Sequence, residues 1–89
     1  MKALSLQVTY RKGKPIAAYL YLPRQPGDKA DSTKEPVEGL LVDYAGDGRP
    51  IGIEIRSPGY VSIEQINQVL DDLGIGRIPA EELGPLRAA

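Results

Sequence analysis

The sequence predicts an α+β domain: a four-stranded antiparallel sheet of two hairpins, with one C-terminal α-helix packed on one face in the order ββββα. Three observations carry this. Two stretches, 3–22 and 37–58, each hold a pair of period-2 alternating runs around a glycine-containing turn. Residues 62–74 place an apolar stripe at helical spacing between a capping serine and a glycine. The chain is 89 residues long, enough for a single domain (1–89) with a modest core.

The first hairpin begins with residues 3–10, where Leu4, Leu6, Val8 and Tyr10 alternate with Ser5, Gln7 and Thr9. Arg11-Lys12-Gly13-Lys14 forms the turn and residues 15–22 return, with Pro15 at a first strand position where no ladder donor is needed. With Tyr10 opposite Ile16, the apolar face gains Ile16, Ala18, Leu20 and Leu22. Tyr19 and Tyr21 then stand on the polar face, opposite Gln7 and Ser5. The two tyrosines read either as a stacking platform for bases or sugars beside Arg11, Lys12 and Lys14, or, more plainly, as an aromatic cover between strands.

Residues 23–36 contain three prolines, a glycine and mostly polar side chains, and read as a mobile loop. In the second hairpin Leu40, Val42 and Tyr44 alternate with Leu41 and Asp43, and Ile51, Ile53 and Ile55 with Gly52, Glu54 and Arg56. Pairing Tyr44 with Ile51, Val42 with Ile53 and Leu40 with Ile55 puts all six large residues on one face, and a one-residue slip would put half of them in water. Asp47-Gly48 reads as turn chemistry, because the ligand spacing of a calcium loop is missing.

Ser57-Pro58-Gly59 breaks the sheet before a helix over Ile63–Leu73. Ser62 and Gln65 form a capping box, Val61 and Ile66 a hydrophobic staple, and Gly74 a left-handed C-terminal cap. In the tail (76–89), Pro79 to Leu83 reads as one helical turn that Gly84-Pro85 ends.

Four strands spaced about 4.8 Å apart make a sheet wider than the roughly 10 Å that one helix covers. The tail residues Ile78, Leu83 and Leu86 cover part of the remainder; a second copy of the chain is expected to cover the rest, giving a homodimer through a sheet face or an edge strand. Strand order is expected to be a simple meander.

Composition narrows the function classes. There is no Cys and no His, which removes thiolate zinc sites, cysteine nucleophiles and the commonest general base. Net charge is −1, with no basic footprint for a nucleic acid. The N-terminal stretch has no apolar run of signal-peptide or membrane-spanning length, so a cytoplasmic location without a membrane partner is expected. No metal, cofactor or catalytic constellation is expected. Asp43, Glu54 and Arg56 on the polar sheet face support acid–base work only if burial shifts a carboxyl, and a solvated face is the plainer reading.

Gly39-Leu40-Leu41-Val42-Asp43-Tyr44, Asp47-Gly48-Arg49 and Ile51-Gly52-Ile53-Glu54-Ile55 resemble the "V-x-V-D-Y-D-x-x-G-x-(ILV)-x-G-I-E-I-L" signature of small bacterial proteins grouped as domain-of-unknown-function family 2283. Val8-Thr9-Tyr10 and Tyr19-Leu20-Tyr21-Leu22 are similar to that family's first hairpin, so the resemblance spans about residues 6–56. The acidic first turn of the family is replaced by Arg11-Lys12-Gly13-Lys14. The resemblance implies a small sheet-plus-helix domain with no catalytic residues to carry over, and an antitoxin-like or regulatory role beside a toxin-like partner.

The expected function is a non-enzymatic protein-interaction or regulatory module acting as a homodimer. The candidate interaction surface is Tyr19, Tyr21, Asp43, Glu54 and Arg56. The alternatives are an antitoxin-like partner and a small-ligand binder near Tyr19 and Tyr21.

Overall fold

The computed structural model describes residues 4–87; Ala3, expected to open the first strand, and the last two residues of the tail lie outside them. The architecture is α+β with an antiparallel sheet, as the alternation predicts. The sheet has five strands rather than four: β1 (Ser5–Arg11), β2 (Lys14–Tyr21), β3 (Ser32–Val37), β4 (Leu40–Tyr44) and β5 (Pro50–Arg56). A 3-10 turn over Pro58–Tyr60, the helix α1 (Ile63–Asp72) and a C-terminal 3-10 segment (Ala80–Arg87) follow.

The additional strand lies in the stretch read as a mobile loop. Residues 32–37 pair with β4 and form an edge, with Glu35 and Pro36 bulged between the Lys34–Val42 and Val37–Leu40 pairs. Proline is tolerated there because a bulge on an edge needs no ladder donor. The order is β1-β2-β5-β4-β3, so the expected meander is also corrected. The connection after β2 passes β5 and β4 to reach the far edge. It leaves the isoleucine strand β5 in the centre, where its apolar side chains bury best.

Both hairpins keep their expected faces. Leu40 pairs with Ile55, Val42 with Ile53 and Asp43 with Gly52, but Tyr44 pairs with Pro50 because Ile51 is bulged out of the ladder. The carbonyl of Ile51 accepts instead from Leu22 N at 3.2 Å and from Arg24 Nε at 3.0 Å. In the first hairpin Tyr10 pairs with Pro15, not Ile16, and Ile16 is the bulged residue. Its turn is a tight two-residue one, with Lys12 (φ 53°) and Gly13 (φ 78°) both left-handed, the geometry that matches strand twist.

The core is one cluster under the sheet. Leu20, Leu40, Val42, Ile53, Ile55, Ile66 and Leu70 are essentially inaccessible. Helix α1 forms as its caps predict: Ser62 Oγ accepts from Gln65 N at 3.0 Å while Gln65 Oε1 accepts from Ser62 N at 2.8 Å. Its C-terminus is a full Schellman ending, with Gly74 at φ 76°, Ile75 N donating to the Leu70 carbonyl at 3.0 Å and Gly74 N to that of Asp71 at 3.0 Å.

The rest of the apolar face is covered by the tail. The helical structure there continues past Gly84-Pro85 to Arg87, beyond the single turn expected, and buries Leu83 and Leu86 completely. Buried Asn67 secures this return: its Nδ2 donates to the Ile78 carbonyl at 3.2 Å and its Oδ1 accepts from Ile78 N at 2.9 Å. The width of the sheet therefore requires no second chain over the described core.

Asn67→Leu should cost about 1–3 kcal/mol, because it strands a buried backbone pair, and should raise amide exchange at Ile78. Ser62→Ala should cost about 1 kcal/mol by removing the cap, read by chemical denaturation, without affecting the Ile78 amide.

Candidate functional site

The outer face of the sheet carries Tyr19, Tyr21 and Asp43, and the structure brings these three together. In the strand ladder Tyr19 lies opposite Glu54, and Gly52 lies between Tyr21 and Asp43. Gly52 has no side chain, so the Tyr19 ring leans diagonally over it. A Cβ at Gly52 would fall inside the atoms of that ring. The lean lets Tyr19 Oη donate to Asp43 Oδ2 at 2.7 Å. Asp43 Oδ1 in turn accepts from Thr33 Oγ1 at 2.7 Å. One hydrogen-bonded belt thus crosses β2, β5, β4 and β3.

Arg24, just past β2, closes the other side. Its Nη2 donates to Tyr19 Oη at 3.3 Å and its guanidinium carbon lies 5.3 Å from the Tyr21 ring centroid. The two tyrosine rings meet edge to face, with centroids 4.7 Å apart. Tyr21 Oη donates to Gln7 Oε1 at 3.0 Å. Desolvation first, and the hydrogen bond to the Asp43 carboxylate second, push the Tyr19 phenol up to about 12. Tyr19 is therefore neutral at physiological pH, and its donor is spent on Asp43.

Glu54 and Arg56, the other two candidates, stand apart from the belt. They approach each other only to 3.8 Å and are both largely exposed. The Asp47-Gly48 turn behaves as turn chemistry: Asp47 Oδ1 accepts from Arg49 N at 3.1 Å, and Gly48 is left-handed at φ 91°. Arg49 also reaches back to Asp28, donating at 2.7 and 3.1 Å. This pair ties the crossing segment to the β4–β5 turn and holds the Asp28 carboxyl below the usual range, mainly through the Arg49 hydrogen bonds. Among the described residues no three potential metal ligands gather, and no helix is long and apolar enough to cross a membrane.

A second region stands out at one end of the sheet. Pairing between β2 and β5 covers only Ala17–Tyr21, so the β1–β2 hairpin overhangs the end of β5. That overhang holds Tyr10 and Ile16, each 46% exposed, and the cations Arg11, Lys12 and Lys14. The third large exposed apolar side chain, Tyr60, is 91% exposed and follows β5 at the same end. Across the sheet at this end, the β3–β4 turn and the Pro58–Tyr60 turn flank a cleft of about 910 Å³, lined by Glu35, Val37, Glu38, Arg56, Tyr60 and Val61 among others. Ser57, at its rim, is a non-glycine residue held left-handed at φ 47°.

Sequence reasoning did not find Arg24, Thr33, the role of Gly52, or this end surface. Comparison of the chain with protein-family models, curated proteins and solved structures finds no match.

Gly52→Ala should destabilise the fold, because Tyr19 must leave the belt. The same substitution in a Tyr19→Ala background should cost much less, a coupling that a double-mutant cycle by denaturation measures. Because the Tyr19 pKa is raised, its contribution to stability is fully present below the ordinary tyrosine pKa near 10 and is lost as pH rises through about 12. Absorbance titration at alkaline pH should show a late phenol ionisation that Tyr19→Phe removes.

Proposed function

We propose that the protein is a non-enzymatic protein-interaction module that acts as a homodimer, exerting a regulatory effect by contact rather than by chemistry. One observation carries this reading: the large exposed apolar side chains among the described residues, Tyr10, Ile16 and Tyr60, all lie at one end of the sheet. Clustered exposed apolar and aromatic groups with a polar surround mark an association surface. The outer face supports the non-enzymatic part of the reading. Tyr19, Asp43, Thr33 and Arg24 satisfy one another and leave no unpartnered acid or base pointed at an open space.

A small ligand at Tyr19 and Tyr21 has less support, since the Tyr19 hydroxyl and the faces of both rings already have protein partners. An antitoxin-like role in a bacterial cytoplasm rests only on the hairpin residues that resemble family 2283.

Light scattering coupled to size exclusion tests the reading. The expected mass is twice the 9.6 kDa of the chain at micromolar concentration. A monomer mass over the whole accessible concentration range would refute self-association.

A further inference from the structure

The overhanging hairpin and the cleft have complementary shape and charge, and both lie at the same end of the sheet, the hairpin on the β1–β2 side and the carboxylates of the cleft on the β3–β4 side. The hairpin tip is convex and carries Arg11, Lys12 and Lys14, flanked by Tyr10 and Ile16. It is also braced: Tyr10 Oη donates to the Pro85 carbonyl at 2.9 Å, and the two-residue turn fixes the backbone of the tip. The cleft is concave. It presents the carboxylates of Glu35 and Glu38 against the guanidinium of Arg56, with Val37 and Tyr60 as apolar contacts and buried Val61 at its floor. Glu35 is itself fixed, accepting from Gly39 N at 2.9 Å.

Within one chain the tip lies on β1 and β2, whereas the carboxylate wall of the cleft lies at the β3–β4 turn, on the far side of central β5; the other wall, Pro58–Tyr60, packs against β2. A two-fold axis normal to the sheet at this end reverses both the strand direction and the left–right order. It therefore sets the tip of each copy opposite the cleft of the other.

We propose that the occupant of the cleft is the basic β1–β2 tip of a second copy, so that two chains dock end to end with each tip in the other's cleft. This rests on the homodimer reading and specifies its contact. The apolar contribution comes from Tyr10 and Ile16 of one copy against Val37 and Tyr60 of the other. Orientation comes from Arg11, Lys12 and Lys14 meeting Glu35 and Glu38. The Arg56 guanidinium lies in the same cleft and opposes the incoming cations. Its own carboxylate neighbour is Glu54, at 3.8 Å.

Charge reversal on each side, alone and mixed, tests this. One variant is Arg11→Glu/Lys14→Glu, the other Glu35→Lys/Glu38→Lys. All four positions are exposed, and thermal melts check folding. Because Glu35 also supports the β3–β4 turn, Glu38→Lys alone serves as a milder control. By sedimentation velocity each double variant should self-associate at least about tenfold more weakly than the native chain, through like charges brought together. An equimolar mixture should regain association, because both tip–cleft contacts then pair opposite charges. Native association should weaken with added salt, as screening predicts. If the native chain dimerises but neither variant shifts its dissociation constant, the dimer contact lies elsewhere and the tip-in-cleft proposal fails while the homodimer reading stands. Folded variants that do not recover association on mixing also overturn the proposal. A native chain that is monomeric throughout overturns both.

Discussion

Burial of β5 beneath the sheet, and of its Gly52 above it, is the constraint on which the other elements depend. Beneath the sheet Ile51, Ile53 and Ile55 are completely buried. Above it Gly52 is buried by the Tyr19 ring lying across the backbone. This strand is also paired on both edges, with β2 on one side and β4 on the other. The glycine is the exception to side-chain alternation that makes this enclosure possible. It opens a channel across the outer surface, through which a tyrosine on β2 reaches an aspartate two strands away.

The elements legible in the sequence are those fixed by neighbours along the chain. The capping box at Ser62, the glycine ending at Gly74 and the two alternating hairpins depend on contacts within a few residues; the caps form as read and the hairpins do apart from the bulges at Ile16 and Ile51. What was not legible depends on distant partners. Residues Ser32 to Pro36 are exposed on both faces at the edge, so no burial pattern marks them as a strand. Asn67 has the polarity of a surface helix position, and only the return of the tail buries it. The mismatch between sheet width and helix width was real. The sequence also held its resolution, since Leu83 and Leu86 lie on a segment that continues helically through Pro85. Gly52 offered a signal, because a glycine inside an isoleucine-rich strand implies close approach of some other group, but nothing local identifies that group as Tyr19.

The polar residues of the outer face and those at the end of the sheet show different physical behaviour. On the face, donors and acceptors are matched at short range: the phenol is held neutral, the aspartate takes two hydroxyl donors, and the arginine is shared between a carbonyl, a hydroxyl and a ring. Such a network rigidifies the sheet. At the end of the sheet, Arg11, Lys12 and Lys14 sit on the β1–β2 hairpin and Glu35 and Glu38 at the β3–β4 turn, with Arg56 between them. Polar side chains that look equally suggestive in a sequence thus divide into groups whose hydrogen bonding is matched within the sheet and groups that face solvent. Asp43 belongs to the first class and Glu38 to the second.

The crossing from β2 to the far edge also shapes how the chain reaches this structure. Each hairpin closes a short loop and forms from residues close in sequence. The seam between β2 and β5 joins segments separated by the whole crossing stretch and the second hairpin. Closing a loop of that length carries an entropy penalty before any contact across it is gained. The seam is therefore the contact that distinguishes two preformed hairpins from a single sheet. Tyr19, which starts on one hairpin and bonds to Asp43 beyond β5, fastens the two halves of the sheet across that seam.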